Sequence, residues 1–145
     1  LAKRPELLIL DEPVASLDPL ARREFLQHLM EATVEHKLSV VLSSHLVSDL
    51  ERVCDYLIVL VDSRVQVAGE VDRLLATHHR LTGPRRLPAG QHVISARQST
   101  YVVRAGAPIH DPAWTVSRLS LEDLVLAYMD KQAADNRRIA LEVQR

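Results

Sequence analysis

Three short, continuous apolar runs mark the first half of the chain, at 7–12, 38–43 and 56–61. Runs of this length without polar alternation predict strands buried on both faces, as inside a parallel sheet. The first, Leu7-Leu8-Ile9-Leu10-Asp11-Glu12, ends in two carboxylates. Pro13 closes it, because proline cannot donate to a ladder. Between the first two runs Leu20, Phe25, Leu26, Leu29, Met30 and Val34 recur on a helical period, with Arg22, Arg23, Gln27 and Glu31 opposite as a solvated face. Asp18 suits the N-cap of that helix and Pro19 its first position. Val47, Leu50, Val53 and Cys54 mark a second, short helix. Residues 62–64 read as a turn, 65–68 as the returning strand of a hairpin, and 70–78 as a short helix.

The pattern then changes. Residues 82–90 carry two glycines and two prolines and read as a connector. Beyond it, 92–96 and 101–104 predict two strands around a turn, and 114–116 a further short one. Ser120-Leu121-Glu122-Asp123 resembles a capping box, and Leu121, Leu124, Val125, Tyr128 and Met129 give the following helix one apolar face. From Asp130 the sequence is polar and mixed, a frayed helix or disordered. The expected layout is an α/β core over 1–80, a connector over 81–90, a small α+β accessory region over 91–130 and a polar tail over 131–145.

Composition narrows the function classes. The chain has 145 residues, 47% of them hydrophobic, and a net charge of −1, which suits one globular domain. No basic stripe favours nucleic acid, and none is expected as a partner. Cys54 is the only cysteine, so no internal disulfide can form; its helical setting predicts a small buried hydrophobe. No apolar run approaches about 18 residues, and no signal peptide is seen. The chain opens at Leu1 without methionine, and 1–5 looks like a helix stopped before a proline. A fragment without its N-terminal half is the expectation.

The candidate chemistry sits at the strand ends. In open α/β sheets, ligands bind at the carboxyl ends of the strands. Asp11 and Glu12 close the first strand, although Asp-Glu-Pro could equally be a turn capping the next helix. Ser43-Ser44-His45 closes the second. Neighbouring parallel strands would bring these side chains to one rim. Asp can hold Mg²⁺ directly or through water, Glu can orient or deprotonate an attacking water, and His can donate to developing phosphoryl charge. That set suits phosphoryl transfer to water. The other histidines read as structural: His78 and His79 are adjacent and cannot share a helix face, and no cysteine or carboxylate cluster accompanies His92 or His110.

Taken in order, Leu7 to Pro13, Ala15-Ser16-Leu17-Asp18-Pro19 and Ser43-Ser44-His45 resemble the Walker B motif, D-loop and H-loop of an ABC-type ATPase. The resemblance runs over about residues 1–78. It implies an α/β fold, the C-terminal part of a P-loop NTPase sheet. Asp11 would support Mg²⁺, Glu12 would be the catalytic glutamate and His45 the switch histidine contacting the γ-phosphate. Ser16 and Asp18 would lie in the D-loop at a dimer interface. ATP and Mg²⁺ are the implied cofactors. The implied partners are a transmembrane permease subunit and a second ATP-binding subunit, in a homodimer or heterodimer. The implied location is the cytoplasmic face of the cell membrane.

The chain departs from the family in one respect. Its glycines are Gly69, Gly83, Gly90 and Gly106, so it contains no G-x-x-x-x-G-K-S/T and no glycine-rich signature. The expectation is that this chain alone neither binds ATP tightly nor hydrolyses it. The family's P-loop strand lies between the second and third runs, so unpaired apolar edges and aggregation are also expected. The stretch 120–128 is similar to the C-terminal end of ATPases from multidrug-type exporters. Two alternatives remain: an ABC-type ATPase acting on DNA or ribosomes, and a non-catalytic remnant that binds a partner.

Overall fold

The computed structural model describes residues 6–83 and 91–143. The expected helix end at 1–5, the connector over 84–90 and the final residues 144–145 lie outside the described residues. The chain divides into two compact units, Leu1–Val53 and Cys54–Arg145.

In the first unit, β1 (Leu7–Asp11), α1 (Pro19–His36), β2 (Ser39–Ser43) and α2 (Val47–Leu50) follow one another. β1 and β2 pair in parallel, from Leu7 opposite Ser39 to Asp11 opposite Ser43. The long helix between them is what a parallel connection requires. Its start is set by Asp18, whose Oδ1 accepts the N–H groups of Leu20 (2.9 Å) and Ala21 (3.0 Å), with Pro19 in the first turn. It stops at Lys37, which adopts a left-handed φ of 50° and donates its N–H to the Thr33 carbonyl. A lysine there gives up the steric freedom that glycine would bring.

The expectation that these strands are buried on both faces fails. Leu7 and Val41 are exposed, and Ile9 is 70% exposed. On α1 only Leu26 is buried, while Leu20, Met30 and Val34 are open. Two strands and one long helix form too few layers to cover both faces of the sheet. Arg22 also departs from its expected solvated role. Its Nη1 donates to Asp49 Oδ2 at 3.1 Å and its Nη2 to the Leu17 carbonyl at 3.2 Å, tying α1 to α2 and to the loop that ends at Asp18.

The second unit opens with an antiparallel hairpin, β3 (Tyr56–Val61) and β4 (Arg64–Glu70). Asp62 and Ser63 both take positive φ, 50° and 59°, the requirement of a two-residue turn matched to strand twist. α3 (Val71–Thr77) follows. The helix expected over 70–78 ends there, because His78 opens a strand. β5 (His78–Thr82), β6 (His92–Arg97), β7 (Thr100–Arg104) and β8 (Thr115–Arg118) form an antiparallel sheet in the order β6-β7-β5-β8. The accessory sheet therefore begins at His78, ahead of the connector.

α4 (Leu121–Val143) completes the unit and packs against β6, β3, β4 and α3. The expected capping box is present. Ser120 Oγ accepts the Asp123 N–H at 3.1 Å, and Asp123 Oδ2 accepts the Ser120 N–H at 3.4 Å. The polar stretch after Asp130 continues as helix rather than fraying. Leu81, Tyr101, Val103 and Trp114 form a core cluster, and Leu121, Leu124, Val125 and Tyr128 of α4 are buried. Trp114 meets Tyr101 edge-on, with ring centroids 5.5 Å apart.

Gly83 lies against that indole. A Cβ there would stand 2.8 Å from Trp114 Cε3 and 2.9 Å from the Ala113 carbonyl oxygen. Gly83→Ala is expected to destabilise the unit by about 1–3 kcal/mol, the usual cost of overpacking a filled site. Urea unfolding of the two forms measures it, and an unchanged midpoint would show that the indole yields freely.

Candidate functional site

The parallel pairing of β1 and β2 brings their carboxyl ends side by side, with Asp11 opposite Ser43. One residue further on each strand the backbone leaves the ladder. Ser43 Oγ donates to Asp11 Oδ1 at 2.5 Å and accepts the Glu12 N–H at 2.9 Å. Two residues beyond Ser43, His45 Nδ1 lies 2.8 Å from Glu12 Oε2. Asp11, Glu12 and His45 therefore occupy one rim, with Ser43 between them.

Glu12 adopts φ 45°. A left-handed backbone costs a residue with a Cβ roughly 1–2 kcal/mol, so local contacts must hold it. The Ser43 hydroxyl holds its amide and His45 its carboxylate. A carboxylate only accepts, so the histidine proton facing Glu12 sits on Nδ1. This leaves Nε2 of His45 for a further partner. The two side chains are 65% and 38% exposed, so their pairing contributes under about 1 kcal/mol to stability. Its consequence is orientation of the Glu12 carboxylate.

The donor set suits a magnesium ion carried by a nucleotide. Mg²⁺ is usually held by one or two carboxylates, substrate phosphates and water rather than by an all-protein cage. Asp11 offers a carboxylate already oriented through one oxygen, and among the described residues no group of three or more histidine, cysteine, aspartate or glutamate side chains could hold a metal alone.

The other expected site residues lie on the loop between β1 and α1. Ser16 is exposed there. Asp18 is the α1 cap, with both of its described side-chain bonds made to helix amides. Ser44 caps its own loop, its Oγ accepting the Leu46 N–H at 3.0 Å. Cys54 is half-buried rather than core; burial pushes its thiol up, and Sγ donates to the Tyr56 carbonyl at 2.8 Å. It has the character of an inert thiol.

Reasoning from the sequence missed two residues. Ser43 was grouped with its neighbours, and only the register separates its role from that of Ser44. His78 reads from the sequence only as a structural histidine beside His79, with no partner in view. Among the described residues of the second unit it is the buried polar one, 1% exposed. Its Nδ1 donates to the Leu74 carbonyl at 2.7 Å, capping α3, and its Nε2 accepts from the Tyr128 hydroxyl of α4 at 2.9 Å. Burial lowers its pKa below 6.5, with the positive charges of Arg104, His79 and His92 acting in the same direction against the α3 carbonyl.

Over part of its length the chain is similar to known ATP-binding proteins. The chain is 38% identical over 73 residues to the energy-coupling factor transporter ATP-binding protein EcfA2 of Clostridium acetobutylicum, covering 50% of this chain and 26% of that protein. It is 31% identical over 126 residues to the molybdenum import ATP-binding protein ModC of Aromatoleum aromaticum, covering 87% of this chain and 30% of the relative. With the uncharacterized ABC transporter ATP-binding protein YxlF of Bacillus subtilis it shares 36% identity over 74 residues, 51% of this chain and 24% of that protein. The chain thus spans less than a third of the length of these curated relatives. No family model matches it. The mixed α/β fold is consistent with the C-terminal part of an ABC ATPase domain.

Proposed function

We propose that this chain is the C-terminal part of the ATP-binding subunit of an ABC transporter. It carries the hydrolytic rim, while residues outside these 145 supply the phosphate cradle. The observation that carries the reading is the convergence of Asp11, Glu12 and His45 at the paired ends of β1 and β2. The relatives' shared description as ATP-binding proteins, that of an ABC transporter in the Bacillus subtilis case, supports it. The multidrug-exporter subtype rests on 120–128 alone. The relatives' names, one of them an import protein, lend it no support, so the proposal stops at a transporter ATPase.

Each residue on the rim then has a task. Asp11 would hold the Mg²⁺ of the nucleotide, which would supply positive charge against the transferred phosphoryl group. Glu12 orients the attacking water and takes its proton. His45 fixes the Glu12 carboxylate through Nδ1 and presents Nε2 toward the γ-phosphate. Donation from both nitrogens requires the imidazolium form. Ser16 and Asp18 lie on the loop facing a second ATP-binding subunit. Among the described residues no helix is long and apolar enough to cross a membrane. A separate permease subunit supplies the membrane path, with this subunit peripheral on the inner face.

The exposed faces of β1, β2 and α1 become interior once the remainder of the domain is present. The test is Mg²⁺-dependent ATP hydrolysis by the whole protein whose reading frame contains this chain. The whole protein turns over ATP, and the 145-residue chain alone does not. A whole protein that neither binds nor hydrolyses nucleotide would sink the reading.

A further inference from the structure

We propose that Ser43 is a positioning residue that sets Asp11 and Glu12 together through one hydroxyl; this deepens the ATPase reading and rests on it. The β1–β2 ladder ends at the pair Asp11 and Ser43. The Glu12 amide, one residue past that end, has left the ladder. The Ser43 hydroxyl takes the place of a backbone acceptor at 2.9 Å, as the chain turns into the left-handed φ of 45°. That turn swings the Glu12 carboxylate to His45 Nδ1, 2.8 Å away. The same hydroxyl spends its proton on Asp11 Oδ1.

The two bonds are chemically linked. A hydroxyl carries one proton and two lone pairs, so it can serve a carboxylate and an amide at once. Accepting from the Glu12 amide also polarises the O–H that Asp11 receives. The ion-supporting carboxylate and the base are thereby held in a fixed relation through one side chain. Ser44 does not make these bonds; its hydroxyl accepts the Leu46 N–H within its own loop.

Threonine and valine separate this role from packing, because they match in shape and differ by the hydroxyl. In the whole protein, Ser43→Ala and Ser43→Val are expected to lower kcat roughly tenfold or more and to raise the Mg²⁺ concentration for half-maximal turnover several-fold, the usual size of an outer-sphere loss. Ser43→Thr stays within about twofold of wild type, since it keeps the hydroxyl. A second readout needs no nucleotide. Amide hydrogen exchange at Glu12 quickens roughly five- to tenfold in the Ala and Val forms, the loss of one hydrogen bond, and not in the Thr form. Equal exchange in all forms, or a valine variant matching threonine in kcat, would overturn the inference. A wild-type protein without ATPase activity removes the catalytic reading and the positioning role with it, whereas the exchange rates judge the hydroxyl bridge separately.

Discussion

Glu12→Gln in the whole protein is expected to cut steady-state ATP hydrolysis about 10²- to 10⁴-fold, the range lost with a general base. ATP binding survives. Glutamine keeps the side-chain length and an oxygen that can still accept from His45 Nδ1, now 2.8 Å from the native carboxylate. It cannot take a proton from water. The site is exposed, so the exchange changes stability by about 0.5 kcal/mol or less. With hydrolysis blocked and binding intact, the ATP-bound pair of subunits accumulates. Turnover assays and the elution volume with and without ATP test both halves. Wild-type turnover in the Gln form would remove Glu12 from the chemistry. Turnover lost without an ATP-dependent dimer would keep Glu12 as the base and discard the closing pair.

The second large effect concerns His78. His78→Ala should destabilise the 54–145 unit by about 2–4 kcal/mol, combining a cavity with a buried hydroxyl deprived of its acceptor. Tyr128 is the hydroxyl left over; the Leu74 carbonyl still receives the backbone N–H of His78. Burial lowers the native pKa of this imidazole below 6.5, the unfolded reference, so the unfolded state binds more protons in the interval between the two. Its contribution is therefore complete above about 6.5 and declines as pH falls toward the lowered native value. Arg104, His79 and His92 sharpen the effect, since each disfavours a further positive charge. Circular-dichroism melts across pH 5–8 test the sign. Wild type loses stability on acidification, and His78→Gln, which has no proton to gain, loses less over the same interval. Parallel pH profiles would assign the acid sensitivity to another group.

Much of the secondary structure was legible because its determinants are local. Asp18-Pro19 starts α1, Ser120 to Asp123 starts α4, and the runs at 7–12, 38–43 and 56–61 give β1, β2 and β3. What those runs misreported is burial. Leu7, Ile9 and Val41 carry the apolar pattern of a strand covered on both sides, yet the described residues leave them open. An apolar pattern records the surroundings that a sequence is suited to, whereas burial records which neighbours are present. β5 went unread for the opposite reason. His78-His79-Arg80-Leu81-Thr82 has one aliphatic residue and becomes a strand because β7 and β8 pair with it on either side.

The candidate site divides along the same line. Asp11, Glu12 and His45 could be named from residue type and order. Their relation through Ser43 could not, because it depends on the register that sets Ser43 opposite Asp11 and turns Ser44 toward its own loop. His78 shows the same limit at longer range: its partner Tyr128 is 50 residues away, and adjacent histidines give no local sign of which one is enclosed.

The edge-on pair of Trp114 and Tyr101 carries a practical consequence. Trp114 is the sole tryptophan, and all three tyrosines, Tyr56, Tyr101 and Tyr128, fall within the 54–145 unit. Intrinsic emission excited above the tyrosine band therefore reports the 54–145 unit alone, while the unit that carries the candidate rim gives no tryptophan signal. Helical ellipticity comes from both units through α1 and α4. If the units open separately, the two signals give different midpoints; one cooperative transition makes them coincide. Phe25, on α1, offers the place for a second indole, so that each half of the chain can be followed by its own fluorescence.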